Sequence, residues 1–75
     1  MPRLPQLSGK EIIKALSQAG FAAVRQKGSH VILVKETPER KRTTVVPLHK
    51  EVDTGTLIEI MRQSGLTREE FLALL

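Results

Sequence analysis

The residues best suited to chemistry lie between Arg25 and His30, in the sequence RQKGSH. The chain has no cysteine and only two histidines, His30 and His49. An imidazole can accept a proton near neutral pH and, once protonated, donate it. A lysine or arginine beside it can hold a phosphate and offset the charge that builds on the oxygens. Cleavage of RNA by its own 2′-hydroxyl needs these functions and no metal.

These groups meet only if the chain reverses between them. A Gly-Ser pair at 28–29 separates two strand-like runs and predicts a two-residue hairpin turn. Such a turn places Lys27 opposite His30 and Arg25 opposite Ile32. Alternation along the strands then puts Arg25, Lys27 and His30 together on one exposed face of the hairpin.

The opposite face of this hairpin is the predicted core side. Its apolar residues are Val24, Val31 and Leu33. Simple alternation also places three other apolar residues on the exposed face with His30, where apolar side chains are not expected: Phe21, Ile32 and Val34. A twist or a bulge in the strand would resolve the conflict.

Both histidines also have a plain structural explanation. A lone histidine at a turn can simply cap the turn or form a hydrogen bond there. His49 follows the third strand in the sequence VPLH. It could lie near His30 at the end of the sheet, or it could be a surface loop residue, which the local pattern favours. Two distant histidines without acids at ligand spacing predict no metal site.

The remaining elements follow from helix caps and apolar spacing. Ser8-x-x-Glu11 is a capping-box pattern that opens a helix over 9–19, with Lys10 and Lys14 toward solvent. Strands are predicted over 21–27, 30–35 and 42–47, with a longer charged connection, ETPERKR, between the last two. A helix through LIEIMRQS ends at Gly65. A second capping box, Thr67-x-x-Glu70, opens a short helix whose apolar residues are Phe71, Leu72 and Leu75.

This order, α-β-β-β-α-α, predicts an α+β fold with a three-stranded antiparallel sheet and helices on one face. The length predicts a single domain over 1–75, with an irregular arm over 1–7. The absence of cysteine fits a reducing interior, and the polar N-terminus shows no signal-peptide pattern. The apolar runs are too short to span a membrane. We therefore expect a cytoplasmic protein without cofactors.

Charge is distributed unevenly along the chain. Residues 1–42 hold nine basic and three acidic residues, a balance of +6, whereas 43–75 have a balance of −2. A basic region suits a partner rich in phosphates, although a solvated charged surface explains it equally well. Two phenylalanines are the only aromatic residues and look like core. Nucleic-acid recognition would then depend on backbone, shape and charge rather than on base stacking.

Three segments together resemble the HicA family of bacterial and archaeal toxins: GFAAVRQKGSHVIL, VVPLH and GTLIEIMRQSGLTREEF. The resemblance runs from about Ser8 to Phe71. It implies a double-stranded-RNA-binding-domain-like fold. It also implies a ribosome-independent mRNA interferase, an endoribonuclease that arrests translation and is held inactive by a HicB-type antitoxin. The residues themselves predict that this cleavage is metal-independent. The alternatives are a non-catalytic RNA-binding module of the same fold and a domain that binds only proteins.

The family's functional histidine falls on His30, which is the expected catalytic residue. Its later Pro-x-His histidine falls on His49, a secondary candidate whose role stays open. Residues expected to contact RNA are Arg25, Lys27, Gly28, Ser29, Lys10 and Lys14. Expected partners are messenger RNA, the antitoxin and, as one option, a second copy of the chain in a homodimer. No membrane partner is expected.

Overall fold

Six elements in the order α-β-β-β-α-α make up the fold, and a computed structural model describes residues 4–75. Their bounds are α1 Gly9–Gln18, β1 Ala22–Lys27, β2 His30–Glu36, β3 Lys41–Pro47, α2 Thr54–Ser64 and α3 Arg68–Leu72. The strands form one antiparallel sheet in the order β1-β2-β3. The helices pack on one face of it. The predicted α+β class and its double-stranded-RNA-binding-domain-like arrangement are confirmed.

Side-chain caps set where the helices begin. At α1, Ser8 Oγ accepts a hydrogen bond from the Glu11 amide, and Glu11 Oε1 accepts one from the Ser8 amide. The same reciprocal pair joins Thr67 and Glu70 at α3. Both predicted capping boxes are therefore confirmed. At α2, Asp53 accepts a hydrogen bond from the Thr56 amide and forms a cap that the sequence pattern did not predict.

The predicted hairpin between β1 and β2 is also confirmed. Lys27 pairs with His30 and Arg25 pairs with Ile32. Gly28 has a φ of +60°, whereas Ser29 has a negative φ, the pattern of a type II′ turn. Glycine suits the first turn position because a positive φ carries no steric cost for a residue without Cβ.

One prediction about the hairpin faces is wrong. The register shifts between Ala23 and Arg25, so Val24 is the extra residue of a bulge and is 61% exposed instead of lying in the core. Side chains that precede the bulge in β1 therefore point to the opposite faces from those that simple alternation predicts. Phe21 is consequently buried, although simple alternation along the strand would place it on the outer face. Ile32 and Val34 do share the outer face with His30, where they are half-buried.

The core lies between the inner face of the sheet and the helices. Its fully buried members include Leu33, Val46, Ile12, Leu57 and Phe71.

Leu7 and Leu75, near the two ends of the described chain, differ from what their sequence context predicts. Leu7, predicted to be part of an irregular arm, is buried and forms an isolated bridge with Val52; residues 1–3 of that arm lie outside the described residues. Leu75 was expected to contribute to the core but is 55% exposed, and Leu74 packs against the core instead.

The connection between β2 and β3 is a tight turn over residues 37–40. The Thr37 amide donates to the Arg40 carbonyl oxygen at 2.9 Å, and the Arg40 amide donates to Thr37 Oγ1 at 3.2 Å. Because of this turn, β2 and β3 each extend one residue further than predicted, to Glu36 and Lys41. The turn lies at the end of the sheet opposite His30.

Candidate nucleic-acid interface

His30 is the first residue of β2 and lies on the outer face of the sheet, away from the helices. Its side chain is exposed and has no hydrogen bond or ion pair within residues 4–75. A histidine with a structural role would be expected to bond to the turn or to a neighbouring strand. The imidazole of His30 is instead available to a bound molecule.

Two cations share this face with His30. Lys27 is its direct partner across the hairpin, where paired Cα atoms lie about 5 Å apart. Arg25 pairs with Ile32, the next residue of β2 that points to the same side. Both cations are exposed, and neither has an ion pair with any residue from 4 to 75. The predicted grouping of Arg25, Lys27 and His30 on one face is therefore present in the fold.

The turn residues Gly28 and Ser29 are held by hydrogen bonds from both sides. The Gln26 side-chain amide donates to the Gly28 carbonyl oxygen at 3.0 Å. The Leu48 amide donates to the Ser29 carbonyl oxygen at 2.6 Å. The second bond ties the hairpin turn to the segment that leaves β3, so the position of His30 is fixed from two neighbouring strands.

His49 lies at the same end of the sheet as His30. Pro47, the last residue of β3, pairs with His30, and His49 follows two residues later. Its side chain is exposed in the loop between β3 and α2. His49 therefore fits both descriptions left open by the sequence, since it is a surface loop residue near the end of the sheet.

The start of α1 packs against this end of the sheet. The Gly9 amide donates to the His49 carbonyl oxygen at 2.9 Å. Gly9 packs so tightly on the end of β3 that a Cβ atom would lie 2.9 Å from the Pro47 carbonyl carbon and 3.0 Å from Leu48 Cα. The Cβ would also overlap the Pro47 carbonyl oxygen, and real Cβ atoms essentially never come this close to backbone, so only glycine lets the helix approach this closely.

The two lysines of α1 lie in different surroundings. Lys10 lines a groove together with His49 and Lys50, beside the end of β3. Lys14 lies one helical turn further on and lines a separate groove with Leu7 and Leu74. Of these two residues, the fold brings only Lys10 to the end of the sheet that carries the histidines.

Sequence reasoning missed Lys50. In an antiparallel sheet, the residues that follow β3 must lie beside the residues that begin β2. The segment 48–50 could therefore have been assigned to the His30 end from the strand order alone. Within residues 4–75, no three His, Cys, Asp or Glu residues are grouped so that they could hold a metal ion.

Two carboxylates at helix starts are already engaged in capping. The hydrogen bond from the Ser8 amide is the main cause that lowers the pKa of the Glu11 carboxyl, so Glu11 stays ionised at the helix start. At α2, the Thr56 hydroxyl donates to Asp53 at 2.7 Å and is the main cause that lowers the pKa of the Asp53 carboxyl. These carboxylates satisfy free amides at helix starts rather than neutralising the exposed lysines.

The outer face of the sheet also carries exposed apolar side chains. Val45 is 40% exposed and pairs with Ile32, while Val24 protrudes from the bulge of β1. No element of the described chain covers this face. In residues 4–75, none of the helices has the length and apolar character needed to span a bilayer.

Most of the chain matches the model of a known protein family. No curated protein matches the chain. The family model described as the HicA toxin of bacterial toxin–antitoxin matches residues 9–66, which is well over half of the chain. The matched range includes the hairpin with His30, the end of β3 with His49 and the whole of α2. The chain belongs to the HicA toxin family.

Proposed function

We propose that this protein is the toxin of a toxin–antitoxin pair and that it acts as an endoribonuclease on messenger RNA, with His30 as the catalytic residue. One observation carries the proposal: an exposed histidine without a side-chain partner in the described chain stands opposite Lys27 on an open sheet face. Family membership supports a toxin. The chemistry assigned to His30 follows from its neighbours.

The proposed reaction is attack of the RNA 2′-oxygen on the adjacent phosphorus. The new bond joins the 2′-oxygen to phosphorus, and the bond from phosphorus to the 5′-oxygen of the next nucleotide breaks. Neutral His30 accepts the 2′-hydroxyl proton, or protonated His30 donates a proton to the departing 5′-oxygen, with water taking the other role. Lys27 and Arg25 would hold the non-bridging oxygens, where negative charge increases in the transition state.

Cleavage is expected to persist in EDTA and to leave a 2′,3′-cyclic phosphate or its opened product. The reason is that His30 and its cations suit internal transesterification, whereas residues 4–75 contain no cluster of metal ligands. Purified protein should be incubated with a defined RNA, and the fragment ends identified by mass spectrometry. A matched RNA with one 2′-deoxy nucleotide at a cleaved linkage should resist cleavage there and nowhere else. Fragments with 5′-phosphates, or complete inhibition by EDTA, would contradict this chemistry.

The antitoxin is expected to cover the outer face of the sheet. That face combines Lys27 and Arg25 with exposed apolar residues, including Val45 and Val24, and no described element covers it. A cationic field attracts acidic groups of a protein partner as it attracts RNA, and apolar side chains supply area to bury. Occlusion of a preformed, shallow site needs no distortion of the toxin.

Hydrogen exchange on the complex with the antitoxin distinguishes occlusion from docking on the helices. Occlusion should slow exchange across residues 24–34 relative to the free toxin. Docking on the opposite side would protect α2 and α3 instead. Protection confined to residues 54–75, with none across 24–34, would contradict occlusion.

A further inference from the structure

A second basic feature lies beside His30, in the groove between the start of α1 and the segment that leaves β3. It is lined by Ser8, Lys10, Leu48, His49 and Lys50. None of these lining residues is acidic. Both lysines are exposed and have no ion pair within residues 4–75. The groove therefore presents two free cations and an imidazole to solvent.

Backbone hydrogen bonds attach this groove to the site of His30. The Leu48 amide donates to the Ser29 carbonyl oxygen, next to His30. The Gly9 amide donates to the His49 carbonyl oxygen and holds α1 against the same segment. Pro47, the residue just before the groove, is the strand partner of His30. The groove and the face that carries His30 thus lie at the same end of the sheet.

The cations of the groove, rather than the amides of the helix, are the groups that would bind an anion. The capping box already uses the Ser8 and Glu11 amides, whose partners are the Glu11 and Ser8 side chains. Lys10 and Lys50 have no such internal partner in the described chain. An anion at this position gains two charge-assisted contacts without displacing a cap.

We propose that this groove is a phosphate subsite, in which Lys10, Lys50 and His49 hold a backbone phosphate of RNA next to the linkage that His30 cleaves. The inference rests on the proposed function, because it takes RNA as the substrate. RNA fits better than a single phosphate compound because Lys27 and Arg25 continue the positive charge past His30. An RNA strand that contacts both the groove and these two cations would pass over His30.

The test uses binding, which does not depend on cleavage. A 2′-O-methyl oligoribonucleotide keeps the phosphates but lacks the attacking hydroxyl. Its affinity should be measured against salt for the wild type and for Lys10→Ala/Lys50→Ala. Each lost phosphate contact should flatten the slope of log affinity against log salt by about 0.7. Because Lys10 and Lys50 contact the same phosphate, the double variant should lose one phosphate contact and flatten the slope by about 0.7.

Arg40→Ala/Lys41→Ala is the matched control. It also removes two exposed cations, but at the turn end of the sheet, opposite His30. The slope of log affinity against log salt should change less in this control than in the groove variant. Thermal melts of both variants should match the wild type, because all four side chains are exposed. In cleavage assays the groove variant should show a raised KM with kcat within a few-fold of the wild type.

The outcomes separate the subsite from the proposed function. An unchanged slope in Lys10→Ala/Lys50→Ala, or an equal loss in both double variants, overturns the subsite even if the wild type cleaves RNA. Binding that weakens only in the groove variant supports the subsite, and does so even if no cleavage is found. A wild type that does not bind the oligonucleotide overturns both.

Discussion

His30→Ala should reduce the rate of RNA cleavage by about 10²–10⁴, the usual contribution of a general acid or base. The fold should survive, because the imidazole is exposed and its removal leaves no cavity. Initial rates on one labelled RNA and thermal melts of the same preparations measure the two effects separately. Loss of activity with an unchanged melting temperature is the expected combination.

His49→Ala is the matched control for this change. It removes the other imidazole from the same end of the sheet, and its side chain is also exposed. It should weaken RNA binding more than it slows the chemical step. Equal loss of kcat in the two variants would assign His49 an equal share in the chemistry and contradict its placement in a binding groove.

Gly9→Ala should lower the free energy of unfolding by about 2–3 kcal/mol, near the upper part of the range for an overpacked site. The added Cβ would meet the backbone of Pro47 and Leu48, which has no freedom to rotate away as a side chain would. For a domain of this size the melting temperature should fall by about 10–20 °C. Activity should fall as well, because the contact positions the segment that carries His49.

Gly55→Ala tests whether the effect comes from the contact or from the loss of any helical glycine. Gly55 also lies in the first turn of a helix, but its Cβ would meet only one atom, Asp53 Oδ2 at 3.3 Å, and a shift of a few tenths of an ångström would relieve this contact. Alanine favours a helix over glycine by up to about 1 kcal/mol, so this variant should be near wild type or slightly more stable. Similar melting temperatures for the two variants would contradict the explanation for Gly9.

The hairpin and its register could be predicted because they depend on local chemistry. A Gly-Ser pair between two strand-like runs specifies a two-residue turn, and that turn alone pairs Lys27 with His30. The capping boxes of α1 and α3 are local for the same reason, since each joins residues three apart. The grouping of Arg25, Lys27 and His30 followed from these local rules.

The bulge at Val24 could not be predicted in the same way. Nothing in the residues around Val24 marks the insertion, because it depends on which residues of β1 must meet β2 while Phe21 reaches the core. The apolar character of Val24 predicted a position in the core, whereas the register of the sheet leaves its side chain exposed. The groove that brings Lys10 beside Lys50 has the same origin, since it forms only when α1 docks on the end of β3.

The most direct test of the central assignment is a comparison of wild type and His30→Ala on one long RNA in the presence of EDTA. Equal concentrations of the two folded proteins should be incubated with the RNA, and the fragments resolved over time. The wild type should fragment the RNA, while His30→Ala should leave it intact over the same period. Fragmentation by a well-folded His30→Ala protein at the wild-type rate would show that His30 is not the catalytic group.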